Sequence, residues 1–99
     1  MIEHIVLIKF YKSTSEAEKN ELIRKTLALK EEIPGIVDIQ QGHNFSERSQ
    51  GYEMGLTVRF TDWDAVENYG PHPKHQELVS YMKEIGLKDK IVVDFEINV

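Results

Sequence analysis

Two side chains that can hold or move a proton near neutral pH lie close together in the segment Tyr69-Gly-Pro-His-Pro-Lys-His75. A phenol can donate a hydrogen bond to a developing oxyanion, and a neutral imidazole can accept a proton. Because Gly70-Pro71 interrupts any helix between them, only a turn can bring the two side chains together. We therefore predict Tyr69 and His75 as the catalytic residues of an acid–base site.

A third candidate, His4, lies on a strand face that also carries Val6 and Ile8. If helices pack on that face, His4 bounds a cavity with Tyr69 and His75, where it would fix the tautomer of the other histidine or orient a ligand. A mostly apolar cavity with a few convergent polar groups is typical of a site for a small hydrophobic molecule. The residues predicted to line it and bind the ligand are His4, Val6, Leu22, Ile23, Leu56, Val58, Val79 and Val93.

The other histidines have simpler explanations. His72 comes just before a predicted helix start and is expected to cap it, and His43 lies in a polar loop and is expected to face solvent. His72 and His75 are spaced as two metal ligands could be, but no carboxylate supplies a clear third ligand, so we predict no metal site. The sequence has no distinct haem-ligand motif, and we predict no cofactor. A haem- or oxygen-dependent monooxygenase is therefore only a distant alternative.

The elements that must position these side chains follow from the hydrophobic pattern. Ile2 to Phe10 is rich in β-branched and aromatic residues and is apolar on both strand faces, with Ile5 and Leu7 opposite to His4. Three later stretches alternate in the same way. The predicted strands are residues 2–10, 36–42, 52–60 and 90–99.

Helical segments separate the first strand from the second and the third from the fourth. The first begins at one of two overlapping capping boxes, at Ser13 or Ser15, and ends before Pro34. The second is interrupted, so that a short helix over 63–69 is followed by another over 73–85.

The order β-α-β-β-α-β predicts an α+β, ferredoxin-like fold, in which a four-stranded antiparallel sheet carries helices on one face. The other face of the sheet is then bare, although the first strand is apolar on both sides. In a chain of 99 residues a second copy is the simplest cover. We therefore predict one domain over residues 1–99 that forms a homodimer through the open sheet face. The alternative is that Ile5 and Leu7 lie beneath a loop of the same chain.

Composition excludes several classes of partner. Seventeen acidic residues against twelve basic ones give a formal charge of −5, and no cluster of Lys and Arg is present, so we predict no nucleic-acid partner. The chain has no cysteine, no signal-peptide pattern and no apolar run of membrane-spanning length. We therefore predict a cytoplasmic protein with no membrane partner.

Several short motifs together resemble the stress-responsive A/B barrel domain family, whose members are dimeric α+β barrels. The resemblance implies a pocket between helices and sheet and, for members similar to plant polyketide cyclases, an intramolecular aldol condensation steered by Tyr69 and His75, with His4 lining the pocket. Other members imply the alternative of a non-catalytic, stress-related structural or ligand-binding homodimer. The motifs are His4-x-x-Leu-x-Lys-Phe10, Ile33-Pro-Gly-Ile36, Gly42-His-Asn44, Gly51-Tyr52, Phe60 and Tyr69-x-x-His-Pro-x-His75.

Overall fold

A computed structural model describes residues 1–98 of the chain. These residues form one antiparallel sheet with strand order β2-β3-β1-β4, and the helices lie between its strands in sequence. The predicted α+β arrangement is confirmed, with the second helical segment divided into two helices. The elements are β1 Ile2–Phe10, α1 Glu16–Glu32, β2 Ile36–His43, β3 Met54–Phe60, α2 Trp63–Tyr69, α3 Pro73–Ile85 and β4 Leu87–Glu96.

The first helix begins at the second of its two predicted caps. The Ser15 hydroxyl accepts a hydrogen bond from the Glu18 N–H (3.1 Å), and the Glu18 carboxylate accepts one from the Ser15 N–H (2.9 Å). Two N–H groups that the helix itself cannot satisfy are thereby paired. The capping box at Ser13 does not form, because the helix starts only at Glu16.

A tight turn joins α1 to β2 and brings the chain close to the start of α2. Gly35 has a φ of +91°, and a Cβ at this position would lie 2.5 Å from the Cβ of Ala65. Both the backbone conformation and the close approach therefore require glycine. The turn fixes the end of α1 against the helices that carry the candidate site.

The hydrophobic core lies between the helices and one face of the sheet. Helix α1 packs on β2 and on α3, α2 packs on β3, and α3 packs on β4. The Thr26 hydroxyl is buried in this layer and donates to the Leu22 carbonyl oxygen (2.8 Å). The largest fully buried side chains are those of Phe60, Ile8, Leu22, Met54, Val58 and Thr26.

The last strand differs from the prediction in where it begins and in which of its residues face the helices. It begins at Leu87, directly after Gly86, rather than at residue 90, and it ends at Glu96; residue 99 lies outside the described residues. In its register with β1, Val92 is opposite Val6 and Val93 is opposite Ile5. Opposed residues share a sheet face, so Val92 faces the helices and Val93 faces away from them.

The helix-free face of the sheet is apolar and exposed. Leu7 and Ile91 are opposed on it, as are Ile5 and Val93, and the exposed fractions of Ile91 and Val93 are 42% and 48%. The idea that a loop of the same chain covers Leu7 is wrong, because Leu7 is 36% exposed.

None of the helices within residues 1–98 is long and apolar enough to cross a membrane.

Candidate functional site

Tyr69 is the last residue of α2, and its ring is buried against the sheet. The Asp62 carboxylate caps this helix by accepting a hydrogen bond from the Ala65 N–H (2.9 Å). Tyr69 is 3% exposed, and its ring meets the Phe60 ring edge to face at 5.0 Å between centroids. The cap and this aromatic contact together fix where the phenol lies.

The break between α2 and α3 leaves one backbone carbonyl without a helical partner. Pro73 begins α3, and His72 caps it as predicted, its Nδ1 accepting a hydrogen bond from the Lys74 N–H (3.1 Å). Because the Lys74 N–H is used in this way, it cannot bond to the Gly70 carbonyl as it would in a continuous helix.

The Gly70 carbonyl instead binds side chains of α3 and fixes the tautomer of His75. It lies 2.9 Å from the His75 Nδ1 and accepts a second hydrogen bond from the Gln76 amide (2.7 Å). A carbonyl oxygen can only accept, so Nδ1 carries the hydrogen. In the neutral imidazole, Nε2 then holds the lone pair and can accept a proton.

Tyr69 is the centre of a cluster of titratable rings. The His75 ring lies 4.2 Å from the Tyr69 ring between centroids, at an interplanar angle of 45°. The His4 ring lies 5.8 Å from the Tyr69 ring on another side. The turn at Gly70-Pro71 thus does bring Tyr69 and His75 together, and β1 supplies the third ring.

His4 has a carboxylate partner on the neighbouring strand. Asp94 is opposite His4 in the register of β1 and β4, and its Oδ1 lies 2.6 Å from the His4 Nδ1. The two side chains are 12% and 24% exposed. Because the carboxylate accepts a hydrogen from Nδ1, Nε2 of a neutral His4 ring is free to accept one from a ligand.

These rings line a cavity of about 230 Å³ between the sheet and helices α2 and α3. An apolar cavity of about 150 Å³ is enough to bind benzene, so this one has room for a substituted ring. Its wall consists of His4, Val6, Ile8, Leu56, Val66, Tyr69, Gly70, His75, Leu78, Met82, Lys90 and Val92.

Burial favours the neutral forms of both Tyr69 and His75. It raises the pKa of Tyr69 to about 12, so the phenol keeps its proton and remains a hydrogen-bond donor. Burial also lowers the pKa of His75, and the nearby positive charge of Lys90 adds to this, while the Gly70 carbonyl opposes it. A donor and a proton acceptor therefore coexist in one cavity near neutral pH.

A second cavity, of about 190 Å³, lies between α1 and α3 and has a different character. Its wall includes Arg24 and Lys74, whose charges are paired with Glu21 and Glu77 on their own helices. No titratable ring lines it, and within residues 1–98 no three His, Asp or Glu side chains come together as a metal site requires. The cavity beside Tyr69 is therefore the candidate site.

Residues 2–97 match the family described as Stress responsive A/B Barrel Domain. The chain belongs to this family. Olivetolic acid cyclase of Cannabis sativa is 26% identical over 76 residues, which cover 75% of each protein.

Solved structures of other proteins are similar to this chain over nearly its whole length. A crystal structure of an Arabidopsis thaliana protein has a TM-score of 0.90 at 25% identity, covering 100% of this chain and 97% of that one. A Bacteroides fragilis protein of unknown function, described as dimeric and ferredoxin-like, has a TM-score of 0.79 at 26% identity, covering 97% of this chain and 95% of that one.

In this A/B barrel domain, the structure brings part of the predicted site together. His4, Val6, Leu56, Tyr69 and His75 all lie in the wall of one cavity. They come from β1, β3, α2 and α3. The strand alternation and the helix break, both visible in the sequence, are what place them there.

The other predicted wall residues are not among the residues that line this cavity. Leu22 and Val58 are fully buried in the core. Ile23 and Val79 pack against that core from α1 and α3. Val93 faces the open side of the sheet because of the register of β4 with β1.

Sequence reasoning missed three residues of β4. Asp94 partners His4, and Lys90 and Val92 lie in the cavity wall. Their even spacing was visible, but the apolar alternation of Ile91 and Val93 pointed to the opposite face of the strand. These residues could have been predicted by pairing β4 with β1 in the register that places a carboxylate opposite His4.

Proposed function

We propose that this A/B barrel domain binds a small hydrophobic carbonyl compound and converts it by acid–base chemistry, in the manner of a polyketide cyclase. One observation carries the proposal: a neutral phenol and a histidine with a fixed tautomer touch each other in the wall of an apolar cavity. Tyr69 and His75 are the proposed catalytic residues. The similarity to a protein named as a cyclase supports the reaction class.

In the proposed reaction, the Nε2 of His75 accepts a proton from the carbon next to a carbonyl group. The electron pair of that C–H bond forms an enolate, whose oxygen accepts a hydrogen bond from the Tyr69 hydroxyl. The enolate carbon then attacks a second carbonyl carbon of the same molecule, forming a C–C bond and an alkoxide. The proton held by His75 returns to the alkoxide oxygen, so that the aldol step is balanced.

His4 is proposed to orient the substrate rather than to move the proton. Its Nδ1 donates to Asp94, which leaves Nε2 to accept a hydrogen bond from a hydroxyl or enol group of the ligand. Val6 and Leu56 form part of the apolar wall against which the ligand would pack.

The first test measures proton abstraction without needing the natural substrate. Benzylacetone (4-phenylbutan-2-one) is incubated with the protein in D₂O, and NMR follows deuterium exchange beside the carbonyl group. We expect catalysed exchange, and we expect His75→Ala and Tyr69→Phe to lower its rate by about 10²- to 10⁴-fold. His43→Ala is the matched control, because His43 bonds to Asn20 of α1 outside the cavity wall.

The outcomes separate the two candidate functions. Exchange that His43→Ala preserves and His75→Ala abolishes, with the folded circular dichroism spectrum intact, supports the enzyme. Binding of the ketone with exchange at the background rate contradicts catalysis and favours the non-catalytic ligand-binding domain. A rate that His75→Ala does not change removes His75 as the base.

We further propose that two copies associate through the helix-free face of the sheet. Leu7, Ile91, Val93 and Phe95 are exposed apolar residues of its two neighbouring strands β1 and β4. A contiguous apolar patch of this kind is typical of an interface between subunits. The similar Bacteroides fragilis protein, which is described as dimeric, supports the same assembly.

Adjacent valines of β4 offer a matched test of the interface. Val92 and Val93 have similar exposed fractions of 46% and 48%, but only Val93 shares the helix-free face with Ile5. We expect Val93→Lys to halve the mass measured by sedimentation equilibrium and Val92→Lys to leave it unchanged. A monomeric parent protein, or a dimer that survives Val93→Lys, would contradict this interface.

A further inference from the structure

Lys90 places a positive charge in the wall of a cavity that is otherwise mostly apolar. It is opposite Ile8 in the register of β1 and β4, so its side chain lies on the helix side of the sheet. Among the ion pairs of residues 1–98, none includes the Lys90 ammonium group. The proposed reaction uses Tyr69, His75 and His4 and assigns no role to the Lys90 ammonium group.

The alternation of β4 places the backbone of Lys90 away from His4 along the same face of the strand. Lys90, Val92 and Asp94 occupy successive positions on the helix-facing side of the strand, and Asp94 marks the end at His4. At about 3.3 Å per residue, the backbone positions 90 and 94 lie roughly 13 Å apart. Along this stretch the cavity wall therefore has Lys90 at one end, Val92 next to it, and His4, the partner of Asp94, at the other end.

The charge of Lys90 also reaches the cavity interior. It contributes to the lowered pKa of His75, which means that the two groups share one electrostatic environment. Lys90 is a solvent-exposed residue. A ligand with an anionic end could bind its ammonium group, because an ammonium–carboxylate hydrogen bond is stronger than a neutral one.

We propose that Lys90 binds a carboxylate of the ligand, so that the substrate class is a hydrophobic carbonyl compound with a carboxylate at the end remote from the group that contacts His4. The proposal rests on the proposed function for the position of the reacting carbonyl beside Tyr69. It adds what the reactive rings do not specify, namely the charge and the length of the molecule.

Paired probes separate charge from shape. The acid 5-benzoylpentanoate and its primary amide have nearly the same size, and only the acid is negatively charged. Isothermal titration calorimetry at low salt gives their dissociation constants. We expect the protein to bind the acid at least about tenfold more tightly than the amide and Lys90→Met to abolish this preference without weakening the amide.

Two further variants keep the test specific. Lys88→Met removes the same charge from the same strand, but the Lys88 ammonium lies over the Tyr11 ring outside the cavity wall, so the preference for the acid should persist. Lys90→Arg keeps the charge and should retain the preference, which a purely structural role for Lys90 would not explain.

The possible results distinguish a failure of the role proposed for Lys90 from a failure of the proposed function. If acid and amide bind equally, or if the preference survives Lys90→Met, the role of Lys90 is overturned while binding of the benzoyl group still supports the proposed function. If neither probe binds, both proposals are overturned. A preference lost in Lys90→Met and retained in Lys88→Met and Lys90→Arg supports the assignment.

Discussion

The layer between helices and sheet has two halves that differ in how well they are filled. In the closed half, beneath α1, Leu22 and Thr26 have no solvent exposure. In the hollow half, beneath α2 and α3, a cavity of about 230 Å³ remains and Val92 is 46% exposed. The closed half is covered by one continuous helix of 17 residues, whereas the hollow half is covered by two shorter ones.

The closed half contributes more to the stability of the fold, and the hollow half contains the candidate site. Side chains that face a void lose contacts with neighbouring atoms, so the hollow half contributes less packing energy than the closed half. Tyr69, His75 and His4 line the same void, where the proposed reaction would take place. The break at Gly70-Pro71 ends α2 and frees the carbonyl that orients His75.

Removing equivalent side chains from the two halves is expected to have the largest effect. Leu22→Ala creates a new cavity in the closed half and should lower the free energy of unfolding by about 2 to 5 kcal/mol. Leu78 lines both cavities. Leu78→Ala should therefore lower the free energy of unfolding by clearly less, near the lower end of that range. Urea denaturation at one protein concentration measures both, and equal losses would contradict the contrast between the halves.

Adding a side chain at Gly70 should have a smaller effect. A Cβ there meets no atom within 4 Å outside its chain neighbours, but Gly70 has φ −52° and ψ −55°, a helical conformation that the ring of Pro71 disfavours in a preceding residue with a Cβ. Alanine restricts the unfolded chain and clashes with the proline in the folded one, so the two effects of Gly70→Ala oppose each other, and the free energy of unfolding should change by less than about 1 kcal/mol in urea denaturation. Gly35→Ala is the contrasting variant, because it should destabilise the fold through its φ of +91° and its clash with Ala65.

The smallest predicted effect is a pH dependence specific to the hollow half. Burial lowers the pKa of His75 in the folded protein, so the unfolded chain binds a proton on this ring more readily. The stability linked to His75 is then fully present above its ordinary pKa of about 6.5 and decreases as pH falls below that value. His75→Gln should reduce the loss of stability between pH 7 and pH 5.

The exposed histidine of the closed half provides the control for this measurement. His43→Gln, in a side chain that is 44% exposed, should leave the pH dependence of urea denaturation close to that of the parent protein. Identical pH profiles for the parent and His75→Gln would contradict the link between burial and the charge of His75.

The closed half was largely predictable from the sequence because local signals determine it. The cap at Ser15, the stop before Pro34 and the apolar period of α1 act over a few residues each. The turn around Gly70 and the cap at His72 are local signals too, and they were enough to bring Tyr69 and His75 together.

The rest of the site depends on pairings between distant segments, which a single sequence does not display. Whether Val92 or Val93 faces the cavity depends on the register of β4 with β1, and a shift of one residue reverses the answer. In the same way, the apolar stripe of α3 contains both Leu78 and Val79, and only the seating of the helix decides that Leu78 lines the cavity.

The group that orients His75 is the main-chain oxygen of residue 70. Every amino acid supplies such an oxygen, so substitution at this position cannot delete the contact that sets the imidazole tautomer. Descendants of this chain can therefore vary the side chains of the cavity while keeping the group that orients His75. If His75 is the base, as proposed, a new specificity on this scaffold would need new cavity walls but no new orientation of the imidazole.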